Sequence, residues 1–287
     1  MTDGLVVAYN GADAGLGNRL RVTLGAARYA RWRDARFLYV WPTTSAFQPA
    51  FTELWEWHDG VRIPRLLSRT AGVVTGYLGS DLRAVQPRPI IQVRTGAELL
   101  LPPPAGNWTD DLRALAPVEE IARTITAIHT AEFGAQPYVG VQIRAHHVSH
   151  AATKQSSPVT WFTDRMRAVL NRDPDRRFYI SCDVPEVKNG LLARFPTAVA
   201  HRADAVYNST AAVRAAIVDL YLLASSSAML GPHGSSFVEM AQFLSDLRVP
   251  TEKPTEGSVS VEDAWGLPGA PDPLRPAARR SMNASPA

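Results

Sequence analysis

Apolar segments of strand length alternate with segments of helical periodicity in the second half of the chain, and this alternation constrains the fold most strongly. The apolar segments are YVGVQIR (138–144), RFYISCD (177–183), AVAHRA (198–203) and AMLGPH (228–233). The segments with helical patterns cover 157–174, 185–196, 211–226 and 235–245. Because parallel strands are joined by crossover helices, this order predicts a doubly wound parallel sheet.

The first half carries a similar but shorter pattern. LVVAYN (5–10) and FLYVW (37–41) are buried-strand candidates, and Asn18 is placed to cap a helix that runs between them to about Arg33. A further strand is predicted at 89–95 and a helix at 117–134. The chain is therefore predicted to be an α/β protein with two Rossmann-like lobes and a cleft between them.

Composition sets the expected boundaries. We predict an N-terminal lobe over 1–134 and a C-terminal lobe over 135–249. Residues 250–287 are rich in Pro, Gly, Ala and Ser and have no periodicity, which predicts a mostly disordered tail.

Charge and cysteine content exclude several classes of protein. The 30 basic and 27 acidic residues give a net charge of +3, which is too small to indicate a nucleic-acid partner. Cys182 is the single cysteine, so no intrachain disulfide can form. The sequence begins without a signal-peptide pattern and has no apolar run of the ~20 residues that a membrane span needs. We expect a soluble, cytoplasmic protein.

Polar groups follow the ends of four predicted strands. They are Gly15–Asn18 after the first strand, Arg144 after VGVQI, Asp183 after FYISC, and His233–Ser236 after AMLGP. Ligands of parallel α/β sheets bind outside the carboxyl ends of the strands. These four segments are therefore the candidate functional site.

The GLGNRLR segment does not complete the dinucleotide-binding pattern, because Leu20 occupies the place of the third glycine. A glycine turn before a helix explains Gly15 and Gly17. It does not explain Asn18, Arg19 and Arg21, since arginines at the positive end of a helix are unfavourable unless an anion binds there.

The segment VGVQIRAHHVSH offers a cation and several proton acceptors. Arg144 lies either at the edge of the sheet or against a ligand phosphate. His146, His147 and His150 lack the cysteine or carboxylate partners of a metal site, so we predict no metal. A loop histidine suits a general base better, because its pKa lies near neutral pH.

The remaining polar positions have two readings each. GPHGSSF offers amides and hydroxyls at Gly234, Ser235 and Ser236, either for an anion or as an ordinary serine cap. Asp183 either caps the next helix or accepts hydrogen bonds from a ribose or a base. Asp219 lies on a largely apolar helix, so we expect it to order a neighbouring arginine.

Four motifs in order resemble one family. GLGNRLR, VGVQIR, FYISCDVPEV and AAIVDLYLLASSSAMLGPHGSSFVEMA are similar to segments of the α-1,6-, α-1,2- and protein O-fucosyltransferases, including the bacterial nodulation enzymes. The resemblance covers the chain to about residue 245. It implies a GT-B-like fold whose N-terminal lobe faces the acceptor and whose C-terminal lobe binds a GDP-sugar. It also implies inverting transfer without a metal or another cofactor.

The resemblance implies roles for individual residues. Arg144 would hold the β-phosphate, Asp183 would contact guanine or ribose, and the segment from Ser235 would bind the diphosphate. Gln142 stands where the family commonly has histidine, and the run after Arg144 differs, so the base is sought among His146, His147, His150 and Asp13. Our catalytic candidates are Arg144, Asn18, His146 and His147, and our donor-binding candidates are Gly15, Gly17, Arg19, Asp183, His233, Gly234, Ser235, Ser236 and Phe237.

The function implied is transfer of a sugar, most simply fucose, from a GDP-sugar to a hydroxyl of a glycan, small-molecule or peptide acceptor. The alternative is a non-catalytic protein that binds nucleotide sugars or glycans. An aromatic segment at 47–65 either stacks against an acceptor or packs in the core; its members are Phe47, Phe51, Trp55, Trp57 and His58.

Overall fold

The chain forms two compact units in a computed structural model. The first unit comprises Met1–Val118 with Asn208–Val213, and the second comprises Glu119–Tyr207 with Arg214–Ala287. The structure describes residues 4–9, 11, 14–45, 47–86, 88–134, 136–146, 155–202, 205–206, 208–254, 259–264 and 267–278. Within these ranges, no helix combines the length and the apolar composition that crossing a lipid bilayer requires.

The first unit is built on a parallel sheet. Its strands are β1 (Leu5–Tyr9), β2 (Arg36–Val40), β3 (Trp55–Glu56), β4 (Val61–Arg62), β5 (Ile90–Arg94) and β6 (Ala116–Pro117). Its helices are α1 (Leu16–Trp32), α2 (Arg65–Thr75) and α3 (Trp108–Ala114), with 3-10 turns at Phe51–Glu53 and Pro103–Ala105.

The main sheet of this unit has the order β4-β2-β1-β5. All of its neighbours pair in parallel, and β3 pairs with β6 in a separate antiparallel ribbon. The predicted strands at 5–10, 37–41 and 89–95 are confirmed. Helix α1 crosses from β1 to β2 and buries Leu20, Leu24 and Ala27.

The start of α1 corrects one prediction. The helix is capped at Gly15 without a side-chain hydrogen bond, so Asn18 lies in the first turn and does not cap it. The helix begins earlier than predicted, and glycine is among the residues that are favoured at the cap position even without a side-chain hydrogen bond.

The aromatic segment after β2 packs into the core of the first unit. Phe47, Phe51 and Trp55 are at most 2% exposed. Phe51 lies between Trp41 and Trp57, with ring centroids 4.8 and 5.0 Å away. Of the two readings left open by the sequence, the structure supports core packing for these side chains.

The second unit is built on a larger parallel sheet. Its strands are β7 (Tyr138–Ile143), β8 (Arg177–Cys182), β9 (Ala198–Val199), β10 (Ala228–Leu230) and β11 (Thr251–Glu252). Its helices are α4 (Glu119–Glu132), α5 (Val159–Arg172), α6 (Pro185–Arg194), α7 (Thr210–Ser225) and α8 (Ser236–Leu244), with a 3-10 turn at Val261–Ala264. The first turn of α7, up to Val213, is assigned to the first unit.

The strand order is β11-β10-β7-β8-β9, so the first strand of this unit, β7, lies in the centre of the sheet. The strands that follow it lie on both sides, as in a Rossmann fold. The chain moves outward through β8 and β9, and then crosses back to β10 on the other side of β7. The doubly wound parallel sheet predicted from the sequence is confirmed, although β9 is much shorter than the predicted 198–203 strand.

The two faces of this sheet differ in chemistry. One face is apolar: Val139, Val141 and Ile143 of β7 pack with Phe162 and Met166 of α5. The opposite face carries polar side chains that are hydrogen-bonded rather than exposed. Its members include Tyr138, Gln142, Tyr179 and Ser181.

Helix α4 belongs to the second unit, which differs from the predicted boundary at 134. Phe133, directly after α4, stacks on Tyr138 of β7 with a centroid distance of 3.7 Å. Gly134 follows with φ +56, a left-handed conformation that ends the helix as predicted.

The described part of residues 250–278 is ordered, so the prediction of a mostly disordered tail is wrong there. Strand β11 extends the sheet beside β10. Glu252 is 8% exposed and, together with Glu262, bonds Arg165 of α5. The prediction relied on the high proline and glycine content and on the lack of periodicity. A two-residue strand and an ion cluster order a segment without producing a periodic pattern.

Replacing Arg165 with alanine should destabilise the protein. The change leaves the carboxylates of Glu252 and Glu262 without their cation, and breaking a partly buried ion cluster costs about 2 kcal/mol or more. Arg167→Ala is the matched control on the same helix, because Arg167 pairs with Asp164 at the exposed surface. Urea unfolding measures both variants, and equal losses would contradict the structural role of the cluster.

Candidate functional site

The carboxyl ends of β7 and β10 meet where the strand order of the second sheet reverses. Ligands of doubly wound sheets bind in the crevice at such a switch point. Arg144 directly follows β7, and the turn at 231–235 follows the neighbouring β10. The topology therefore brings two of the predicted segments to one place.

Asp183 fixes the loop that carries Arg144. Its Oδ1 accepts hydrogen bonds from the backbone N–H groups of Ala145 and His146, at 2.7 and 3.0 Å. Its Oδ2 lies 3.2 Å from Nη1 of Arg144. The carboxylate follows β8, so two adjacent parallel strands deliver the arginine and its anchor to the same edge.

The arginine keeps donors for a ligand. Its side chain is 33% exposed, whereas that of Asp183 is 10% exposed. A guanidinium has five N–H donors in a planar fork, and a single ion pair occupies only part of that fork. Arg144 is thus oriented from one side and open to solvent on the other.

The structure corrects one of the two readings of Asp183. The cap position of α6 is Val184, which makes no side-chain cap hydrogen bond, and Asp183 does not cap this helix. The contact to ribose or base stays a prediction.

The Asp183→Ala variant should loosen the loop after β7. The amides of Ala145 and His146 would lose a charged acceptor, and hydrogen bonds to charged groups contribute about 1.5–3 kcal/mol each. Hydrogen exchange at both amides should accelerate about tenfold or more, while Asp183→Asn should retain most of the protection because its side-chain oxygen still accepts. Unchanged exchange in the alanine variant would refute the anchoring role.

The turn between β10 and α8 has a backbone conformation that leaves room for a ligand. Gly234 has φ +68, a left-handed conformation that favours glycine. Ser235 is the helix cap: its hydroxyl accepts from the N–H of Val238 and donates to Oε1 of Gln142, at 3.4 and 3.3 Å. The backbone N–H of His233 donates to Oγ of Ser157 at 2.9 Å.

These contacts show what the serines of GPHGSSF do. Ser235 acts as an ordinary serine cap, and its link to Gln142 ties the start of α8 to β7. Ser236 and Phe237 form the first turn of α8. Because the positive end of a helix begins there, the turn can accept an anion beside Arg144. Gln142 and Ser157 are positioning residues that sequence reasoning did not assign.

Asp219 has hydroxyl partners and not the arginine that we predicted. Its two oxygens accept from Tyr179 at 2.5 Å and from Ser181 at 2.8 Å, on the polar face of the sheet. Burial raises the pKa of Asp219 to about 6, and the hydrogen bonds from the two hydroxyls oppose that rise. Two hydroxyls satisfy the oxygens of this carboxylate, and Lys188, rather than an arginine, is the nearby positive charge that also opposes the rise in its pKa.

The raised pKa of Asp219 predicts a pH-dependent stability. Between the ordinary aspartate pKa and about 6, the native state binds more protons than the unfolded state, so this group lowers stability as pH rises through that window. Asp219→Asn removes the ionisation at nearly constant volume. The melting temperature of the wild type should fall relative to this variant from pH 4 to pH 7, whereas a constant difference would contradict the raised pKa.

The loop after β1 holds the second group of candidates, at the switch point of the first sheet between β1 and β5. The amide of Asn18 faces Gly96 after β5, 3.8 Å from where a Cβ on that glycine would lie. Gly15 is exposed and Gly17 is buried. Asn18 is partly exposed, so it stays available as a ligand contact.

Arg19 lies in a different environment from the ligand-facing one that we predicted. Its side chain is fully buried, and it donates to the carbonyl oxygens of Ala14 and Pro42 at 2.7 and 2.8 Å. The guanidinium also stacks 4.1 Å from the ring centroid of Phe47. Arg19 therefore joins the glycine loop to the segment after β2, a structural role that its place in GLGNRLR did not indicate.

The candidate bases are only partly covered by the structure. His146 is partly exposed and lies two residues after Arg144, while His147, His150 and Asp13 lie outside the described residues. In the part of the chain that the structure describes, no group of three or more His, Cys, Asp or Glu side chains could hold a metal ion.

Comparison with known proteins identifies the fold. No family model and no curated protein matches the sequence. Among solved structures, fucosyltransferase NodZ from Bradyrhizobium is similar with a TM-score of 0.61 and 18% identity, over 87% of this chain and 95% of that one. NodZ α-1,6-fucosyltransferase soaked with GDP-fucose gives a TM-score of 0.59 and 17% identity, over 86% and 93%.

Two further fucosyltransferases are more distant. A mutant of Arabidopsis thaliana FUT1 in complex with GDP has a TM-score of 0.52 and 13% identity, over 87% of this chain and 69% of that one. POFUT1 in complex with GDP has a TM-score of 0.51 and 12% identity, over 88% and 99%. The chain thus has the α/β, GT-B-like fold of the fucosyltransferases that its sequence motifs resemble.

Proposed function

We propose that the protein is an inverting fucosyltransferase that moves fucose from GDP-fucose to a hydroxyl of a glycan, small-molecule or peptide acceptor. The observation that carries this proposal is the anchored arginine at the switch point of the second sheet. Arg144 is oriented by Asp183 and directly follows β7, the strand that pairs with the one leading into α8. Similar solved structures were soaked with GDP-fucose or co-crystallized with GDP, which supports a guanosine donor.

In the proposed reaction, the acceptor oxygen attacks the anomeric carbon from the side opposite the diphosphate. The new C–O bond forms as the bond to the β-phosphate oxygen breaks, so the configuration inverts and GDP leaves with the bonding electrons. A histidine of the loop after Arg144 takes the proton of the acceptor hydroxyl. His146 is the candidate that lies within the part of the chain that the structure describes.

The leaving diphosphate gains charge as the bond breaks, and fixed donors must stabilise it. The remaining N–H groups of Arg144 and the backbone N–H groups at the start of α8 are the donors that we assign to this task. Each preorganised donor typically contributes about 3 kcal/mol to transition-state stabilisation. We propose that these donors replace a divalent cation, so chelators should leave turnover unchanged.

Arg144→Ala should lower kcat/KM by about 100-fold or more, because the transition state loses a charged donor. Arg144→Lys should recover only part of the rate, since an ammonium cannot bond two oxygens in one plane. Arg177→Ala is the matched control: Arg177 begins β8 at the opposite edge of the sheet and pairs with Glu132. Steady-state kinetics with GDP-fucose and a panel of acceptors measures the effect.

Near-wild-type turnover of Arg144→Ala would remove this residue from the mechanism. A non-catalytic sugar-binding protein is the second candidate, because the run after Arg144 departs from the family pattern. The two are separated by the release of GDP from GDP-fucose in the wild type and in a variant with His146 and His147 both changed to alanine. Stabilisation by GDP without release in either protein would favour the binding function.

A further inference from the structure

Helix α2 of the first unit is packed with its polar side inward. Its buried residues are Ser68 and Gly72. The side chain of Gln92 in β5 bonds the hydroxyls of Ser68 and Thr75, at 3.0 and 2.9 Å. Tyr77 donates to the carbonyl oxygen of Ser68 at 3.1 Å. Polar contacts and a glycine, and not an apolar stripe, attach this helix to the sheet.

The apolar side of α2 faces solvent. Leu66, Leu67, Val73 and Val74 are 69%, 56%, 88% and 87% exposed. At 100° per residue, these side chains lie within an arc of about 120°. A surface helix normally turns such an arc toward the core, and exposed apolar side chains grouped on one side of a helix mark an interaction surface. Thr70 lies between the two pairs and donates its hydroxyl to the carbonyl oxygens of Leu66 and Leu67. The arc is therefore available to a partner and is not needed by the fold of this unit.

Arginines border this apolar arc. Arg65 and Arg69 lie on one side of it, and the helix contains no acidic residue. Arg94 of β5 and Arg65 both place their guanidinium groups over the ring of Tyr9, at 5.1 and 5.6 Å from its centroid. In the described part of the chain, none of these three arginines makes an ion pair.

An open cavity of about 510 Å³ lies at the beginning of α2. Arg62 and Arg65 line it together with Thr43 and Thr44. The rest of the lining is apolar and consists of residues 40–42 with Ile63 and Pro64. Arg62 and Arg65 are therefore the groups of this cavity that suit an oxyanion such as a phosphate.

We propose that the α2 face, defined by Leu66, Leu67, Val73 and Val74 with its arginines, docks onto an anionic lipid membrane. The apolar arc enters the boundary of the acyl chains, and the arginines bind headgroup phosphates. Anionic lipid is the occupant that supplies both an apolar layer and negative charge along one helix. A symmetric contact between two α2 helices would offer Arg65 and Arg69 no carboxylate from the facing helix, because α2 contains no acidic residue.

Vesicle co-sedimentation tests this proposal independently of catalysis. The purified wild type should bind vesicles of phosphatidylcholine mixed with phosphatidylglycerol, bind pure phosphatidylcholine weakly, and dissociate at high salt. Leu66→Ser with Leu67→Ser should weaken binding about tenfold or more. Arg65→Gln with Arg69→Gln should weaken it about 25-fold, about fivefold for each charge.

The controls are Leu247→Ser, which removes an exposed leucine from the second unit, and Arg167→Gln, which removes an exposed charge there. Both should bind like the wild type, and all variants should keep wild-type circular dichroism. Absence of binding to anionic vesicles, or equal binding by all variants, would overturn the proposal. So would a dimer in sedimentation velocity that dissociates when Leu66 and Leu67 are replaced, because the face would then belong to a second copy.

Discussion

The candidate site depends on one carboxylate. Asp183 accepts hydrogen bonds from two consecutive backbone amides after β7 and forms an ion pair with Arg144, the residue that directly follows this strand. A loop with a free arginine would sample many orientations, whereas this one has its backbone and its guanidinium fixed from the same side. The anchor comes from β8, so the geometry depends on the register of two parallel strands rather than on the loop itself.

The chemistry of the second sheet follows from its two faces. The apolar face supplies the core with α5 and α6, while the opposite face joins hydroxyls and amides into pairs: Tyr179 and Ser181 with Asp219, and Gln142 with Ser235. Buried polar pairs of this kind are costly unless every group is satisfied, and then they specify one arrangement. The Gln142–Ser235 pair links β7 to the start of α8, so both sides of the switch point are held by the same sheet.

Two patterns in the sequence predicted much of the fold and part of the site: the periodicity of apolar residues, and the polar residues that follow the strands. These patterns predicted strands β1, β2, β5, β7, β8 and β10, helices α1 and α4 to α8, and the placement of Arg144 beside the turn at 231–235. Neither pattern shows how deeply a polar side chain is buried or which group it bonds. Arg19 is a buried structural residue and Asp219 bonds hydroxyls. Strand β11 lies in a segment whose composition indicates disorder. Helix α2 was not predicted, and its apolar side points away from the core.

A structure of the protein with GDP-fucose bound is the most direct test of the account. We predict that the β-phosphate lies within hydrogen-bond distance of the Arg144 guanidinium and of the backbone N–H groups at Ser235 and Ser236, with Asp183 still bonded to Ala145 and His146. A diphosphate bound away from the carboxyl ends of β7 and β10, or bridged to the protein by a divalent cation, would contradict it.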